Sequence, residues 1–209
     1  MIIDVMQISQ DFCSASFTIK HKDEQIGSFS LQGKFYSPKA EIQGTIYGQP
    51  FKMVYGKMDG LEAKHPHRPY LIYKGDTLRG NVYEYQFNSG MFKNLGSDQM
   101  KIDGMVFDLF SIGLGKEGDK SPIYNRDKQV AQIDTPCVVY NELYNFKIFA
   151  EDLFASEVAI LFCVYMYTNG CYQPGLKVVH SKTKTILITT DKALKEKYNP
   201  DFVKGIKND

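Results

Sequence analysis

The sequence predicts a mainly β protein whose strands enclose a single hydrophobic helix. Between residues 12 and 149, short runs of alternating apolar and polar residues are separated by polar turns, at the roughly 8–12-residue spacing typical of barrels and sandwiches. From Leu153 to Tyr167, only Ser156 and Glu157 are polar, so a helix here is apolar on every side and must be surrounded. The run is shorter than the roughly 20 residues needed to span a bilayer and contains a Glu. We therefore expect the protein's own strands to surround it.

Eleven or twelve strands are predicted before this helix. In chain order they are residues 12–20, 25–32, 33–37, 41–47, 50–55, 70–73, 82–87, 100–110, 123–125, 129–135, 138–140 and 144–149. Polar turns are predicted at 21–24, 48–50 and 126–128, and aperiodic loops at 56–69, 88–96 and 113–122. Residues 100–110 are interpreted as one strand in which Gly104 marks a β-bulge, because the apolar residues on both sides of it then share a face.

The residues after the helix are predicted to form a hairpin and a short second helix. Asn169 and Gly170 end the long helix, and residues 176–179 and 185–190 are expected to pair across the SKTK turn at 181–184. A short helix is predicted over 191–198, because Thr190 or Asp191 can cap its start and it must end before Pro200.

This C-terminal segment differs in charge from the rest of the chain. Residues 177–209 contain eight lysines and four acidic residues, whereas residues 1–176 carry a net charge of −3. The candidate surface for an anionic ligand consists of Lys177, Lys182, Lys184, Lys192, Lys195 and Lys197. Attraction to an anionic membrane contributes about 1 kcal/mol per Lys, although Asp191, Glu196 and Asp201 oppose it. The alternative interpretation is a solvated, Lys-rich tail.

The other groups that suggest chemistry have structural explanations. His65 and His67 are spaced for a metal in an extended loop, but zinc needs three or four ligands, so a solvated turn is expected. Glu151 and Asp152 lie at the predicted N-terminus of the helix, which is the positive end of its dipole. An acidic side chain there stabilises the helix by about 0.3–1 kcal/mol. Glu157 is expected near the mouth of the surrounding strands, because a fully enclosed carboxylate needs a partner.

The sequence contains no recognised catalytic or nucleotide-binding fingerprint, and the glycines at 113–118 are not followed by the GK[ST] of a phosphate loop. We therefore expect no enzymatic activity and no cofactor. The four cysteines lack CxxC spacing, which is typical of thiols in a reducing compartment. The first eleven residues include Asp4 and no basic region, unlike a secretion signal. The expected location is the cytoplasm, with peripheral membrane association if the protein binds lipid.

The order of elements around the long helix resembles a known superfamily. The closing segment of the tubby C-terminal-like superfamily is similar to three consecutive parts of this chain. They are the hairpin IYNRDKQVAQI, the strand YNFKIF, and the hydrophobic helix EDLFASEVAILFCVYMY, which begins with two acidic residues. Its LURP-one-related and phospholipid scramblase-like members are the most similar. The resemblance covers residues 12–169 by element order and 123–167 by local pattern. It implies a closed barrel of about twelve strands, residues 1–169, threaded by a central helix at 152–168.

The chain departs from this superfamily in three respects. In the family the helix usually ends the domain, whereas here residues 170–209 form an added extension, packed on the barrel or trailing from it. The acidic calcium-binding segment of scramblases has no counterpart in residues 108–122, which lack the required ligand spacing. The basic residues with which tubby proteins bind phosphoinositides do not match positions in this sequence.

Two functions remain open at this point. A barrel filled by its own helix has little interior left for a ligand, so a binding site is expected on the outer wall or in the extension. The first expectation is a non-enzymatic module that binds anionic phospholipid head groups or a protein partner. The alternative is a structural or oligomerising interaction protein with no small ligand. Nucleic acid is not an expected partner, because aromatic and basic residues are not interleaved as in nucleic-acid grooves.

Overall fold

A closed antiparallel β-barrel forms most of the protein. The computed structural model describes residues 1–11, 13–33, 40–56, 67–88, 94–141, 143–170, 182–186, 188–189 and 192–206. The strands before the helix are β1 (Ile2–Gln10), β2 (Ser14–His21), β3 (Glu24–Gln32), β4 (Glu41–Ile46), β5 (Gln49–Tyr55), β6 (His67–Lys74), β7 (Thr77–Asn88), β8 (Asn94–Ile102), β9 (Met105–Leu109), β10 (Ile112–Gly113), β11 (Asp119–Asn125), β12 (Lys128–Thr135), β13 (Val138–Tyr140) and β14 (Asn145–Ala150). A 3₁₀ helix, Gly115–Glu117, lies between β10 and β11.

Twelve of these strands close the barrel. They follow the order β11-β12-β14-β1-β2-β3-β4-β5-β6-β7-β8-β9, and β9 pairs back with β11. Strand β10 pairs with Asp119 and Lys120 of β11, next to the Ile123–Asn125 segment of β11 that pairs with β9. Strand β13 pairs with β15 (Lys182–Lys184) in a separate two-stranded sheet. The predicted barrel of about twelve strands is therefore confirmed.

Helix α1 (Leu153–Gly170) fills the barrel. It follows β14 after two residues, and its side chains from Val158 to Val164 are almost completely inaccessible to solvent. Asp152 caps its first turn, because the Asp152 carboxylate accepts a hydrogen bond of 2.7 Å from the Ala155 amide. The acidic residue at this position therefore stabilises the helix terminus, as predicted.

The two ends of the barrel differ. We call the end formed by the tight turns at 22–23, 47–48, 75–76, 103–104 and 126–127 the turn end, and the opposite end the loop end. Helix α1 begins at the turn end, where the Tyr47 and Ser156 hydroxyls lie 2.7 Å apart. It finishes at the loop end, where the Gln7 amide donates a hydrogen bond of 2.8 Å to the Tyr167 hydroxyl.

The interpretation of Gly104 as a bulge is wrong. Asp103 and Gly104 have φ angles of 52° and 77°, and they form the two-residue turn that joins β8 to β9. Both φ angles are positive, as a type I′ turn requires, and this turn matches the twist of the adjacent strands. The predicted strand 100–110 is therefore two strands that share a hairpin.

The N-terminal residues form a strand that the sequence analysis did not assign. Strand β1 lies between β14 and β2, with Ile3 and Val5 fully buried in the core. On the outer face, Asp4 lies opposite Lys147 of β14 and Lys20 of β2. Strand β1 therefore joins the last strand of the barrel to the second.

The described parts of the C-terminal extension form one strand and two short helices outside the barrel. They include β15, α2 (Lys192–Lys197) and α3 (Phe202–Gly205). Leu194 and Tyr198 pack against a small cluster of Phe110, Ile112 and Tyr124, separate from the main core.

The short helix agrees with its prediction, but the hairpin does not. The SKTK segment contains the strand β15 instead of a turn, and β15 pairs with β13. Residues 176–179, predicted as the first strand of the hairpin, lie outside the described residues.

Candidate functional site

Five of the six candidate lysines lie in the described part of the extension. Lys182 and Lys184 lie on β15, and Lys192, Lys195 and Lys197 lie on α2. Lys177 lies outside the described residues. The strand and the helix pack at neighbouring places on the wall, because Ile188 bridges to Leu114 and Leu114 also packs against the cluster that holds α2.

Strand β15 presents basic and aromatic side chains together. Lys182 lies directly opposite Tyr140, and Lys184 lies opposite Val138. Residues that are directly opposite in an antiparallel pair project to the same side, so both lysines share a face with Tyr140. The Lys182 ammonium lies 5.5 Å from the centroid of the Tyr140 ring, within cation–π range.

Two exposed isoleucines lie just beyond the lysines in the chain. Ile186 and Ile188 follow the lysines at alternate positions and are 47% and 70% exposed, and the Tyr140 side chain is 60% exposed. We call Tyr140, Lys182, Lys184, Ile186 and Ile188 the basic–apolar stripe. An extended chain from Lys182 to Ile188 spans about 20 Å at most.

The lysines of helix α2 do not all have the same role. The Lys197 ammonium lies 5.3 Å and 4.7 Å from the ring centroids of Phe110 and Tyr124. The Lys197 carbonyl also accepts a hydrogen bond of 2.5 Å from the Tyr124 hydroxyl. Lys197 therefore helps to hold the helix on the barrel, whereas Lys192 and Lys195 are exposed.

The stripe lysines are not neutralised within the described chain. Neither Lys182 nor Lys184 forms an ion pair with a described residue, in contrast to two lysines of the nearby wall. Lys120 pairs with Asp134 at 2.5 Å, and Lys147 lies 3.7 Å from Asp4. The described residues from 182 to 206 include six lysines but only Glu196 and Asp201 as acids, and Asp201 pairs with Lys204. The described part of the extension therefore carries an excess of positive charge.

A groove on another part of the wall has a different character. It has a volume of about 560 Å³ and crosses β2 to β5, where small hydroxyl side chains such as Ser16, Ser28 and Thr45 line it. Lys52 is the one charged side chain among its described lining residues, and it pairs with Glu41 at 2.9 Å. This groove lacks the unpaired positive charge that an anionic ligand requires.

The interior of the loop end contains a pair of carboxylates that sequence analysis did not identify. Glu84 on β7 lies directly opposite Asp98 on β8. Each is two residues from an inward-facing, fully buried residue of its own strand, Val82 and Met100 respectively. Because side chains alternate along a strand, both carboxylates point into the barrel.

Burial changes the ionisation of this pair. Withdrawal from solvent raises the pKa of Asp98 to about 7, and the negative charge of Glu84 contributes in the same direction. The Arg68 guanidinium opposes both effects. Arg68 also donates a hydrogen bond of 2.7 Å to the Asn169 carbonyl at the end of α1, and it accepts one of 3.1 Å from the Tyr165 hydroxyl through its own carbonyl. The pair and Arg68 thus surround the C-terminal end of the helix.

Glu157 lies at the opposite end of the helix. It is half-buried, and desolvation raises its pKa, while the positive charges of Lys74 and Arg79 lower it. Lys74 adjoins the turn at 75–76, and Arg79 forms an ion pair with Asp103 of another turn. This position agrees with the prediction that Glu157 lies near a barrel mouth.

A metal site is not apparent in the part of the chain that the structure describes. That part contains no group of three or more His, Cys, Asp or Glu side chains arranged to hold an ion. His65 lies outside the described residues, and the same is true of the His67 side chain. The predicted solvated turn therefore stays a prediction.

Helix α1 also meets the length and composition of a membrane-spanning segment. Its 18 residues have a mean hydropathy of 1.3, and 67% of them are buried within the protein. The strands and turns around it supply this burial. Comparison of the chain with family models, curated proteins and solved structures gives no match. The resemblance to the tubby C-terminal-like superfamily consequently stays a prediction.

Proposed function

We propose that the protein is a non-enzymatic module that docks on anionic phospholipid surfaces through its C-terminal extension. The observation that carries this proposal is that Lys182 and Lys184, on the exposed strand β15, form no ion pair with a residue that the structure describes. Lys192 and Lys195 of the neighbouring helix α2 add positive charge to the extension. The association is peripheral and reversible.

The charge is sufficient for weak, reversible binding. Each Lys near an anionic membrane contributes about 1 kcal/mol, so the four lysines together contribute about 4 kcal/mol before the repulsion from Glu196 is subtracted. This attraction is screened beyond about 8 Å at physiological ionic strength. We therefore expect binding that is strong at low salt and decreases as salt is added.

Co-sedimentation with vesicles tests the proposal. The protein should sediment with vesicles of phosphatidylcholine and phosphatidylserine at low salt, and should stay in the supernatant with vesicles of phosphatidylcholine alone. The double variant Lys182→Glu/Lys184→Glu should lose most of the binding, because it replaces two attractive charges with two repulsive ones.

A charge-matched variant separates the stripe from the net charge. Lys22→Glu/Lys101→Glu makes the same change in net charge on the barrel, and we expect it to bind as the unmodified protein does. Equal losses in both variants would mean that net charge alone governs binding, which contradicts a defined site. No sedimentation at low salt would refute the lipid proposal. If the protein self-associates under those conditions, the alternative of an oligomerising interaction protein is favoured.

A further inference from the structure

We propose that Ile186 and Ile188 insert into the acyl boundary of the bilayer that the stripe lysines attract, with the Tyr140 ring at the level of the head groups. This inference rests on the proposed function and specifies it further. The partner it requires is a bilayer interface, not a free anionic head group.

The exposure of the isoleucines is built into the fold. Residues on both sides of them are tied to the barrel: the Thr185 amide donates to the Cys137 carbonyl at 2.9 Å, and the Thr189 amide donates to the Gly113 carbonyl at 3.0 Å. The Gly113 amide in turn donates to the Thr189 hydroxyl at 2.8 Å. These bonds fix Thr185 and Thr189 on the protein surface, and Ile188, next to Thr189, is 70% exposed.

The chemistry of the stripe matches a membrane interface. Single exposed apolar residues are normal on protein surfaces, but here two exposed isoleucines follow closely in the chain after two lysines that form no ion pair with a described residue, and Tyr140 lies opposite Lys182. Lysines lie among the head groups, aromatic rings prefer the interface, and aliphatic side chains enter the acyl boundary. A soluble anionic ligand would use the lysines and leave the isoleucines exposed to water.

Among the described residues, large apolar side chains are also exposed at Ile8 on β1 and at the turn end. Leu78, Met105 and Leu153 are exposed there. The adjoining turns and helix start carry several acids, namely Asp23, Asp76, Asp103, Asp127, Glu151 and Asp152. Lys22, Arg126 and Lys128 lie among these acids, and ion pairs join Asp103 to Arg79 and Glu151 to Lys128. The turn end therefore lacks the excess of positive charge that the stripe offers to an anionic bilayer.

The absence of tryptophan from the sequence permits a direct test. Ile188→Trp introduces a single reporter at an exposed position, where it should not disturb folding. On vesicles of phosphatidylcholine and phosphatidylserine, its emission should shift to the blue and should be quenched by lipids brominated in their acyl chains. Leu78→Trp, at the turn end, should bind the same vesicles without either change. Glycerophosphoserine, the same head group without acyl chains, should leave the I188W emission unchanged.

A second pair of variants measures the contribution of the isoleucines to binding. Ile186→Ser/Ile188→Ser should bind anionic vesicles about tenfold or more weakly, since it removes apolar area from the membrane contact. Leu78→Ser/Leu153→Ser removes comparable side chains from the turn end and should bind normally.

The outcomes distinguish this inference from the proposed function. Vesicle binding without a blue shift of I188W, or with unchanged affinity of the double Ser variant, would overturn insertion and leave the proposed function intact. Failure of the unmodified protein to bind vesicles would overturn both. A blue shift that appears without vesicles as the protein concentration rises would mean that a second copy of the chain covers the stripe, and this too would overturn insertion.

Discussion

The carboxylate of Asp98 should make the stability of the protein depend on pH. Its pKa in the folded protein is about 7, compared with an ordinary value of 3.8, because burial and the facing charge of Glu84 disfavour the ionised form. The groups that face it are Glu84 from β7, Arg68 from β6 and the Tyr165 hydroxyl from α1. Between the two pKa values the folded state binds more protons than the unfolded state, so stability falls as pH rises through this window.

The magnitude follows from the pKa values. At about 1.36 kcal/mol for each pKa unit, the ionised carboxylate costs the folded protein about 4 kcal/mol above pH 7. Asp98 retains partial solvent exposure, so this figure is an upper bound. Asp98→Asn keeps the shape of the side chain and removes the charge. We expect the variant to be more stable than the unmodified protein at pH 8 by a few kcal/mol, and the difference to shrink towards pH 4.

Chemical denaturation of both proteins at several pH values measures this difference directly. Subtracting the unfolding free energies of the two proteins at each pH cancels the contribution of the other titrating groups. One of these groups is Glu157, whose pKa is also raised by burial. Asp23→Asn, in an exposed turn, makes the same change in formal charge and should leave the pH dependence unaltered. A difference between the unmodified protein and Asp98→Asn that stays constant from pH 4 to pH 8 would refute the reasoning.

Three further substitutions test the fold. Gly44→Ala should destabilise the barrel by several kcal/mol in denaturant melts, because an added Cβ would lie 2.0 Å from the Ser28 carbonyl oxygen; unchanged stability would contradict this close approach. Asp152→Ala should lower the unfolding free energy by about 1 kcal/mol through loss of the helix cap, whereas Asp152→Asn should retain most of it. Tyr124→Phe removes the hydrogen bond to the Lys197 carbonyl and should loosen α2 by about 1 kcal/mol. Faster amide hydrogen exchange in α2, with unchanged exchange in the barrel, would support this role of the Tyr124 hydroxyl.

Local patterns in the sequence were sufficient to predict most of the barrel and its helix. The helix was recognisable because fifteen consecutive residues, from Leu153 to Tyr167, contain only two polar side chains. Strand β1 was not predicted, because its alternation of apolar and polar residues is short: Ile3 and Val5 flank Asp4, but apolar Met6 and polar Gln7 then break the pattern. The Asp103–Gly104 dipeptide between alternating apolar residues was also a recognisable hairpin signal, since DG favours a type I′ turn.

The candidate site was less predictable, because it depends on which strands become neighbours. Glu84 and Asp98 are fourteen residues apart in the chain and meet only through the register of β7 and β8. Tyr140 joins the lysines only because β15 pairs with β13, a pairing that replaced the predicted hairpin. Composition alone indicated that the extension is basic, but it did not indicate that Lys197 helps to hold the extension on the barrel.

The position of β1 between β14 and β2 has a consequence for how the chain folds. The pairing of Ile2 with Phe149 closes a loop of nearly the whole barrel, and such non-local pairing makes folding slow. Until residues up to Ala150 are available, β1 and β12 each have an open edge, and the helix that fills the interior has not yet been made. Open edges recruit other strands. A fragment that stops before Ala150 should therefore aggregate, and during synthesis the ribosome must release most of the chain before a stable barrel exists.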